Sequence, residues 1–421
     1  LGHGVTVLEA LDQPGGMMRM GIPEYRLSRD ALDKEIGYCK DIGVEIKTGH
    51  RVDSVDQLLE DGYDAVYIAL GAQKGASLSI PGDDAPGVID GISFLRQVNQ
   101  GEKVKIGNRV AIIGGGNSAI DAARSAVRLG GKDVTVYYRR TQAEMTAYED
   151  EVDGASYEGI KIEFLTAPIH IAEKAGGLEV TFTQMELGKP DESGRPRPVP
   201  VKGSEFNKEF ETVITAVGQV PVGTESMGLP LTDQNFVQVD AETLATDKPG
   251  IFAGGDIVSG PASIIEAIAQ GRRGSISIDQ YLGGTGSIDQ ELASPEEAVF
   301  LPKLERVAKS RVQMPTLDLE KRVSSFLQVE RGLSKEQAVE EAARCLMCDA
   351  RQFEVTVYDD NCKECGYCIE VCGLDIFVPG DNFNSKGYRS VTSNGSTRCV
   401  GCLKCFYACP DYAIDIKELT A

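Results

Sequence analysis

Two runs of cysteine near the end of the chain constrain its fold more than any other feature. The first places Cys362, Cys365, Cys368 and Cys372; the second places Cys399, Cys402, Cys405 and Cys409, followed by Pro410. Each reads C-x2-C-x2-C-x3-C, the spacing that holds a [4Fe–4S] cluster in small domains carrying two of them. Three thiolates two residues apart wrap a short loop around one face of a cubane, and the loop amides aim at its sulfurs. The fourth cysteine is expected at a helix start, facing away, where it ligates the cluster of the other run. That crossing assigns Cys362, Cys365, Cys368 and Cys409 to one cluster, and Cys399, Cys402, Cys405 and Cys372 to the other. Gly373 stands where a proline is common after the fourth cysteine; it loosens a turn and removes no ligand. Zinc sites use fewer, differently spaced thiols, and disulfides need an oxidising compartment.

Composition sets the bounds around this feature. At 421 residues the chain is long enough for two or three domains. Lys and Arg total 43 against 64 Asp and Glu, a formal charge of −21. That balance opposes nucleic acid or an anionic membrane as partner. No apolar run reaches the length of a membrane span. Eleven cysteines in an α/β chain fit a reducing cytoplasm, where thiols serve metals.

Residues 108–123 (NRVAIIGGGNSAIDAA) carry a complete dinucleotide signature. A hydrophobic strand runs into Gly114-x-Gly116-x-x-Ala119, then a helix to about Leu129. Gly114 permits the tight turn, Gly116 lets a pyrophosphate approach the backbone, and Ala119 lets helix and strand pack closely. The helix start, with Asn117 and Ser118, faces the phosphates with its dipole and free amides. A second strand, residues 133–138, ends in Arg139 and Arg140 where an NAD site would place an acid. A guanidinium pair suits a 2′-phosphate, which favours NADP(H) over NAD(H).

A second set of motifs brackets this one. Residues 4–9 (GVTVLE) read as a buried strand ending in the acid Glu9, the arrangement that closes the second strand of a dinucleotide unit. Its first strand and glycine loop should lie about 20 residues upstream, so the N-terminal unit is expected to be missing from the sequence. Then come Pro14-Gly15-Gly16-Met17, residues 21–27 (GIPEYRL), and the strand 64–71 (DAVYIALG). Further on lie residues 250–256 (GIFAGGD), and Pro261-Ala262-Ser263 opening a helix at 264–281.

With residues 144–147 (EMTA) and 218–221 (GQVP), these motifs resemble the glutamate synthase small subunit and its relatives, in that family's order over roughly residues 1–285. The resemblance implies FAD contacts for Glu9, Gly15, Gly16, Met17, Ile22, Pro23, Arg26, Ala69, Gly71, Gly255, Asp256, Pro261, Ala262, Ser263 and Ile264. It places Gly218 beside the NADP site, at the turn where the chain returns to the FAD domain. The family has a proline where Thr146 stands, so a softer loop is expected there.

The expected architecture is α/β. Two Rossmann-like dinucleotide-binding domains come first, the FAD domain (residues 1–103 and 223–285) split around an inserted NAD(P) domain (104–222). A linker and helix (286–344) lead to a small α+β domain of bacterial-ferredoxin type (345–421). Within that last stretch Cys345 and Cys348 read as reduced thiols or as half of a further metal site. No side chain is expected to act as acid or base, because nicotinamide and flavin carry the chemistry. The reading is a cytoplasmic electron-transfer flavoprotein subunit, moving electrons between NAD(P)H, FAD and two [4Fe–4S] clusters, to or from partner redox subunits or ferredoxin, in a hetero-oligomer. The alternatives are a self-contained NAD(P)H:ferredoxin oxidoreductase, and a passive relay whose nucleotide site is vestigial.

Overall fold

A computed structural model describes residues 1–191, 194–288, 310–344, 353–393 and 399–419. Two compact units divide the chain: Leu1–Ile288 with Pro315–Arg331, and Asp289–Met314 with Gly332–Ala421. Cys345 and Cys348 lie outside the described residues.

The first unit is organised around a five-stranded parallel sheet. Its strand order is Val88–Asp90, Thr212–Thr215, Arg109–Ile113, Asp133–Tyr137, Lys161–Glu163. The central strand is apolar along its length because both faces are covered; Val110, Ala111 and Ile112 are buried. On one face Phe94, Leu95, Ile120, Ala123 and Val152, from the helices Gly91–Asn99, Asn117–Arg128 and Glu149–Tyr157, complete a core. On the other face lie antiparallel strands, among them Thr166–Lys174, Gly177–Pro190 and Phe206–Phe210. There Phe182 stacks on Tyr137 at 4.2 Å between ring centroids. Each large side chain so buried contributes about 1.5–3 kcal/mol.

The flavin-side half is built differently. Thr6–Leu8 pairs only with Glu45–Lys47, and Val66–Ile68 only with Ile251–Ala253, each in parallel, among the described residues. Val55, Ile68, Met227, Val237, Ile251 and Ile257 form its core. Val5 and Val7 remain exposed beside the first pair, as do Ile264, Ile265 and Ile268 on the helix Ile264–Tyr281. That helix has the bounds expected from sequence. A reciprocal Ser263–Glu266 capping box fixes its start.

The stretch expected to be linker departs from that reading. Pro315–Arg331 belongs to the first unit, folds a short helix at Leu319–Ser324, and buries Arg322 and Val329. Its charged, aperiodic texture reflects a buried ion pair whose partner lies far away in sequence. The second unit takes in Gly332 onward, including the helix Lys335–Ala342 capped by Ser334 and Gln337.

In the second unit, Phe353–Val357 pairs with Ile414–Glu418, and Phe377–Phe383 with Arg389–Ser393, both antiparallel. The two cysteine runs fold alike. Glu364, Gly366 and Asp375 in the first, and Gly401, Leu403 and Tyr412 in the second, hold positive φ at matching positions. A left-handed non-glycine residue costs about 1–2 kcal/mol, so the loop shape outweighs local preference at four of the six. The fourth cysteines do not start helices. Cys372 and Cys409 are C-caps of Tyr367–Val371 and Lys404–Ala408, which begin just before the third cysteine. Third and fourth cysteines thus lie one helical turn apart.

Candidate functional site

The nicotinamide-side site is built where the central strand meets its helix. Gly114 has φ +150°, and a Cβ there would sit 2.2 Å from the Ala216 carbonyl oxygen. The same Cβ would meet the Ala119 methyl at 3.2 Å, so both small residues are needed for helix and strand to close. A Cβ on Gly115 would strike the Tyr138 ring at 2.4 Å. Gly116 is the helix N-cap and has no side chain to block the first amides.

The 141–147 loop, expected to be soft, is tied down. Thr146 N and Ala147 N both donate to Gly115 O at 3.2 Å, and Tyr138 Oη donates to Glu144 O at 2.6 Å. Thr141 and Glu144 add a capping box of their own. These bonds replace the stiffness of the absent proline. Asn117 Oδ1 accepts from Tyr148 N at 3.1 Å, so this side chain anchors the same loop. Ser118 Oγ accepts from Gln219 Nε2 at 3.2 Å, which brings the turn at Gly218 (φ +133°) to the helix start.

The arginine pair is divided. Arg140 is buried, donating from Nε to Pro196 O at 2.8 Å and from Nη2 to Asp191 at 2.7 Å. Arg139 is exposed at the strand end. Partial burial of its head group, and then the neighbouring Arg140 charge, lowers its pKa from the ordinary guanidinium value.

On the flavin side, Glu9 follows its strand as expected. Its carboxylate accepts from Leu11 N at 2.9 Å. Gly15, at φ +123°, and Gly16, at φ +48°, start the short helix Gly16–Met20, which contains Met17. Ile22 and Pro23 follow that helix. Arg26 turns away from this region: it reaches Asp121 at 2.8 Å and Glu151 at 3.0 Å, both on the nicotinamide side. The buried Asp121 carboxylate and the part-buried Glu151 hold it there, a pull the motif alone does not reveal. Ala69 is exposed at the end of Val66–Ile68, and Gly71 holds φ +68°. Gly255 (φ +77°) precedes Asp256, whose carboxylate accepts from Ala262 N at 3.2 Å. Burial raises the Asp256 pKa. Pro261, Ala262 and Ser263 lead into Ile264, where the helix start is open and apolar. The Tyr67 hydroxyl is buried with no hydrogen-bond partner among the described residues, an unpaired donor on this half that fits a polar group of a bound cofactor.

In the second unit, Cys362, Cys365, Cys368 and Cys409 line one cavity together with Gly366, Val391 and Ile414. This is the first foursome predicted from the spacing. Burial raises Cys368 to about 11, and the Cys365 and Cys362 thiols add to it. Burial likewise raises Cys405 to about 11, with Cys399, Cys402 and Cys372 as further causes. Gly401 N donates to Cys399 Sγ at 3.4 Å and Ala413 N to Cys409 Sγ at 3.2 Å, the amide-to-sulfur contacts that tune a cluster. Among the described residues, no group of three or more His, Cys, Asp or Glu is arranged for a single metal ion. Four thiols around a cavity suit a cubane rather than one zinc.

Sequence reasoning missed the ionic seam behind these sites. Arg124 and Arg128, on the helix Asn117–Arg128, converge on Glu158 and cover the Tyr25 ring. Two arginines at i and i+4 were the available signal.

A glycine-turn dinucleotide fold, joined in one chain to a domain with two cysteine foursomes, defines an electron-transfer oxidoreductase. The pyridine nucleotide-disulphide oxidoreductase family matches over residues 29–271, and a 4Fe-4S dicluster domain over residues 361–413. The chain belongs to the pyridine nucleotide-disulphide oxidoreductase family. It is 41% identical over 372 residues to the beta subunit of an NADP(+)-dependent formate dehydrogenase of Moorella thermoacetica, covering 82% of this chain and 51% of that protein. It is 34% identical over 391 residues to the beta subunit of an NADPH-Fe(3+) oxidoreductase of Geobacter sulfurreducens, covering 82% and 58%. A glutamate synthase [NADPH] small chain of Halomonas elongata is 32% identical over 298 residues, covering 66% and 62%. The chain thus spans little more than half the length of the first two. FprA of Mycobacterium tuberculosis, solved with NADPH, shares the fold over 66% of this chain and 78% of its own, with a TM-score of 0.57 at 22% identity. The resemblance read from the motifs is borne out. No helix among the described residues is long and apolar enough to cross a membrane.

Proposed function

We propose that this chain is the nicotinamide-oxidising subunit of a larger cytoplasmic redox complex, linking NADPH to partner subunits through FAD and two [4Fe–4S] clusters. The observation that carries this reading is the pairing, in one chain, of a tight Gly114–Ala119 turn with two cysteine foursomes. FAD held here would supply the capacity to take a hydride from nicotinamide and release the two electrons one at a time.

The chain's residues bind and orient. Gly114, Gly116 and the amides of Asn117 and Ser118 would receive the pyrophosphate, and Arg139 the 2′-phosphate. Glu9, Gly15 and Gly16 would line the FAD, Ile22 and Pro23 would lie along its ring system, and Ala69 and Gly71 beside it. The open helix start at Ser263 and Ile264 would direct its dipole at the electron-rich edge of the ring. The eight cysteines would hold the clusters as crossed foursomes, with Val391 and Ile414 keeping water from the first.

The relatives named as beta subunits support the complex over a self-sufficient enzyme. Anaerobic native purification tests this. Co-elution with further redox subunits is the expected result; a monomer fully active on free ferredoxin would point to the self-contained alternative. NADPH should bleach the flavin faster than NADH at equal concentration; no bleaching by either would leave only the passive relay.

A further inference from the structure

Residues 315–331 carry no motif, yet they touch both halves of the dinucleotide unit. The segment closes on itself, with Leu317 N donating to Val329 O and Arg331 N to Pro315 O, both at 2.8 Å. At one end Val329 N donates to Tyr25 O at 3.0 Å, and the Phe326 ring lies 6.3 Å from the Tyr25 ring. Tyr25 sits two residues after Pro23, in the loop placed along the flavin. At the other end the helix Leu319–Ser324 packs against Asn117–Arg128, the helix placed under the nicotinamide nucleotide. Its buried Arg322 donates from Nε to Glu158 at 3.1 Å.

Glu158 is the hub. Its carboxylate has no exposed surface and also receives two N–H groups from Arg124 and two from Arg128, at 2.6–3.1 Å. Burial alone would raise its pKa; the bonds from Arg128 and Arg124 outweigh that and hold it at about 2. Arg26 completes the seam by crossing from the flavin-side loop to Asp121 and Glu151. The guanidinium groups of Arg26, Arg124, Arg128 and Arg322 face the carboxyls of Asp121, Glu151 and Glu158, so positive charge is in surplus. The surplus lies against the Tyr25 ring, with Arg128 at 3.9 Å and Arg124 at 4.7 Å from its centroid. Such a network has one good arrangement, because any partner that leaves strands a buried charge.

We infer that residues 315–331 are a brace that fixes the flavin-side loop against the nicotinamide-side helix, with Arg322 and Tyr25 as positioning residues for hydride transfer. The inference rests on the proposed NADPH-to-FAD reaction. Hydride transfer needs the nicotinamide donor carbon and the flavin acceptor nitrogen held near contact distance, and a shift of about 1 Å can cost roughly 100-fold. The nucleotide's own contacts at Gly114–Ala119 and Arg139 do not involve the brace. Loosening it should therefore act on the rate at saturation and not on nucleotide affinity.

The test uses Arg322→Met, Arg322→Met/Phe326→Ala and Arg322→Lys in the natively purified protein. Glu158 keeps four bonds in each, so the fold should persist. Hydrogen–deuterium exchange is expected to rise at both residues 22–27 and 117–128 in the first two variants. Flavin reduction at saturating NADPH should fall about 10- to 100-fold, with NADPH affinity within about threefold of wild type and partial recovery in Arg322→Lys. Exchange that rises only within 315–331, or a loss confined to affinity, would overturn the brace. If neither nicotinamide reduces the wild-type flavin, the exchange result still decides the brace, and only the reaction assigned to the site falls.

Discussion

The two halves of the dinucleotide unit meet the same task with different completeness. On the nicotinamide side, five parallel strands form one sheet with both faces covered, and the glycine turn is locked by the Ala216 carbonyl, Ala119 and Tyr138. On the flavin side, the strands pair two by two, and Val7, Ile264 and Ile265 face outward. Where strand, turn and helix are contiguous in sequence, packing alone specifies a site. Beside the paired strands of the flavin side, the strand ends and glycines are in place and apolar surface lies open. The brace joins the two halves.

The largest effect should come from the locked turn. Gly114→Ala forces a Cβ to 2.2 Å from a backbone oxygen. It should cost about 1–3 kcal/mol of stability and at least roughly 100-fold in nicotinamide-driven flavin reduction. Flavin content should be unchanged, because the turn lies on the other half. A variant that loses flavin and nicotinamide response together would break the comparison.

Core substitutions sharpen the contrast. Ile112→Ala removes a fully buried side chain of the closed sheet and should cost about 2–5 kcal/mol in chemical denaturation. Ile265→Ala, 74% exposed, should cost no more than about 0.5 kcal/mol. An equal cost at Ile265 would mean that something covers the flavin-side surface in the working protein.

The arginines separate recognition from scaffolding. Arg139→Gln should raise the KM for NADPH about tenfold or more while leaving the KM for NADH nearly unchanged. Arg140→Gln removes one partner of Asp191 and the bond to Pro196 O, and should act mainly on thermal stability. A selective NADPH defect in Arg140→Gln alone would reverse these roles.

The smallest effect is a pH dependence at the seam. Burial raises the Asp121 carboxyl from 3.8 to about 7, against the pull of Arg26. The folded state then binds a proton that the unfolded chain releases between those values. On this group's account, stability is greatest at low pH and falls as pH rises from about 4 to about 7. Glu158, lowered from 4.5 to about 2 in the fold, acts with the opposite sign and mainly below about pH 5.5. Melting temperature between pH 5.5 and 7.5 should therefore fall less steeply with rising pH in Asp121→Asn than in wild type, and equal slopes would remove Asp121 as the cause.

Much of the site was legible because its chemistry is local. The cysteine spacing grouped the four thiols that line one cavity, and strand, glycines and helix marked the tight turn at Gly114. Pro261-Ala262-Ser263 marked the start of the helix Ile264–Tyr281 to the residue. What stayed hidden depends on partners distant in sequence. Glu158 and Arg322 meet from 164 residues apart, so 315–331 reads as linker. Arg26 and Arg140 were assigned to ligands, yet Asp121 with Glu151 holds the one and Asp191 the other. The fourth cysteines were placed at helix starts because spacing shows a helix nearby but not which end; left-handed Gly366 and Leu403 set the start one residue before the third cysteine instead.

The central claim is that one chain carries electrons from nicotinamide through flavin to both clusters. Anaerobic titration of the natively purified protein with NADPH, followed by flavin absorbance and low-temperature EPR, tests it most directly. The account predicts that the flavin bleaches and that both clusters take on the reduced, paramagnetic signal with no other reductant present. A flavin that bleaches while both clusters stay silent until dithionite is added would contradict it.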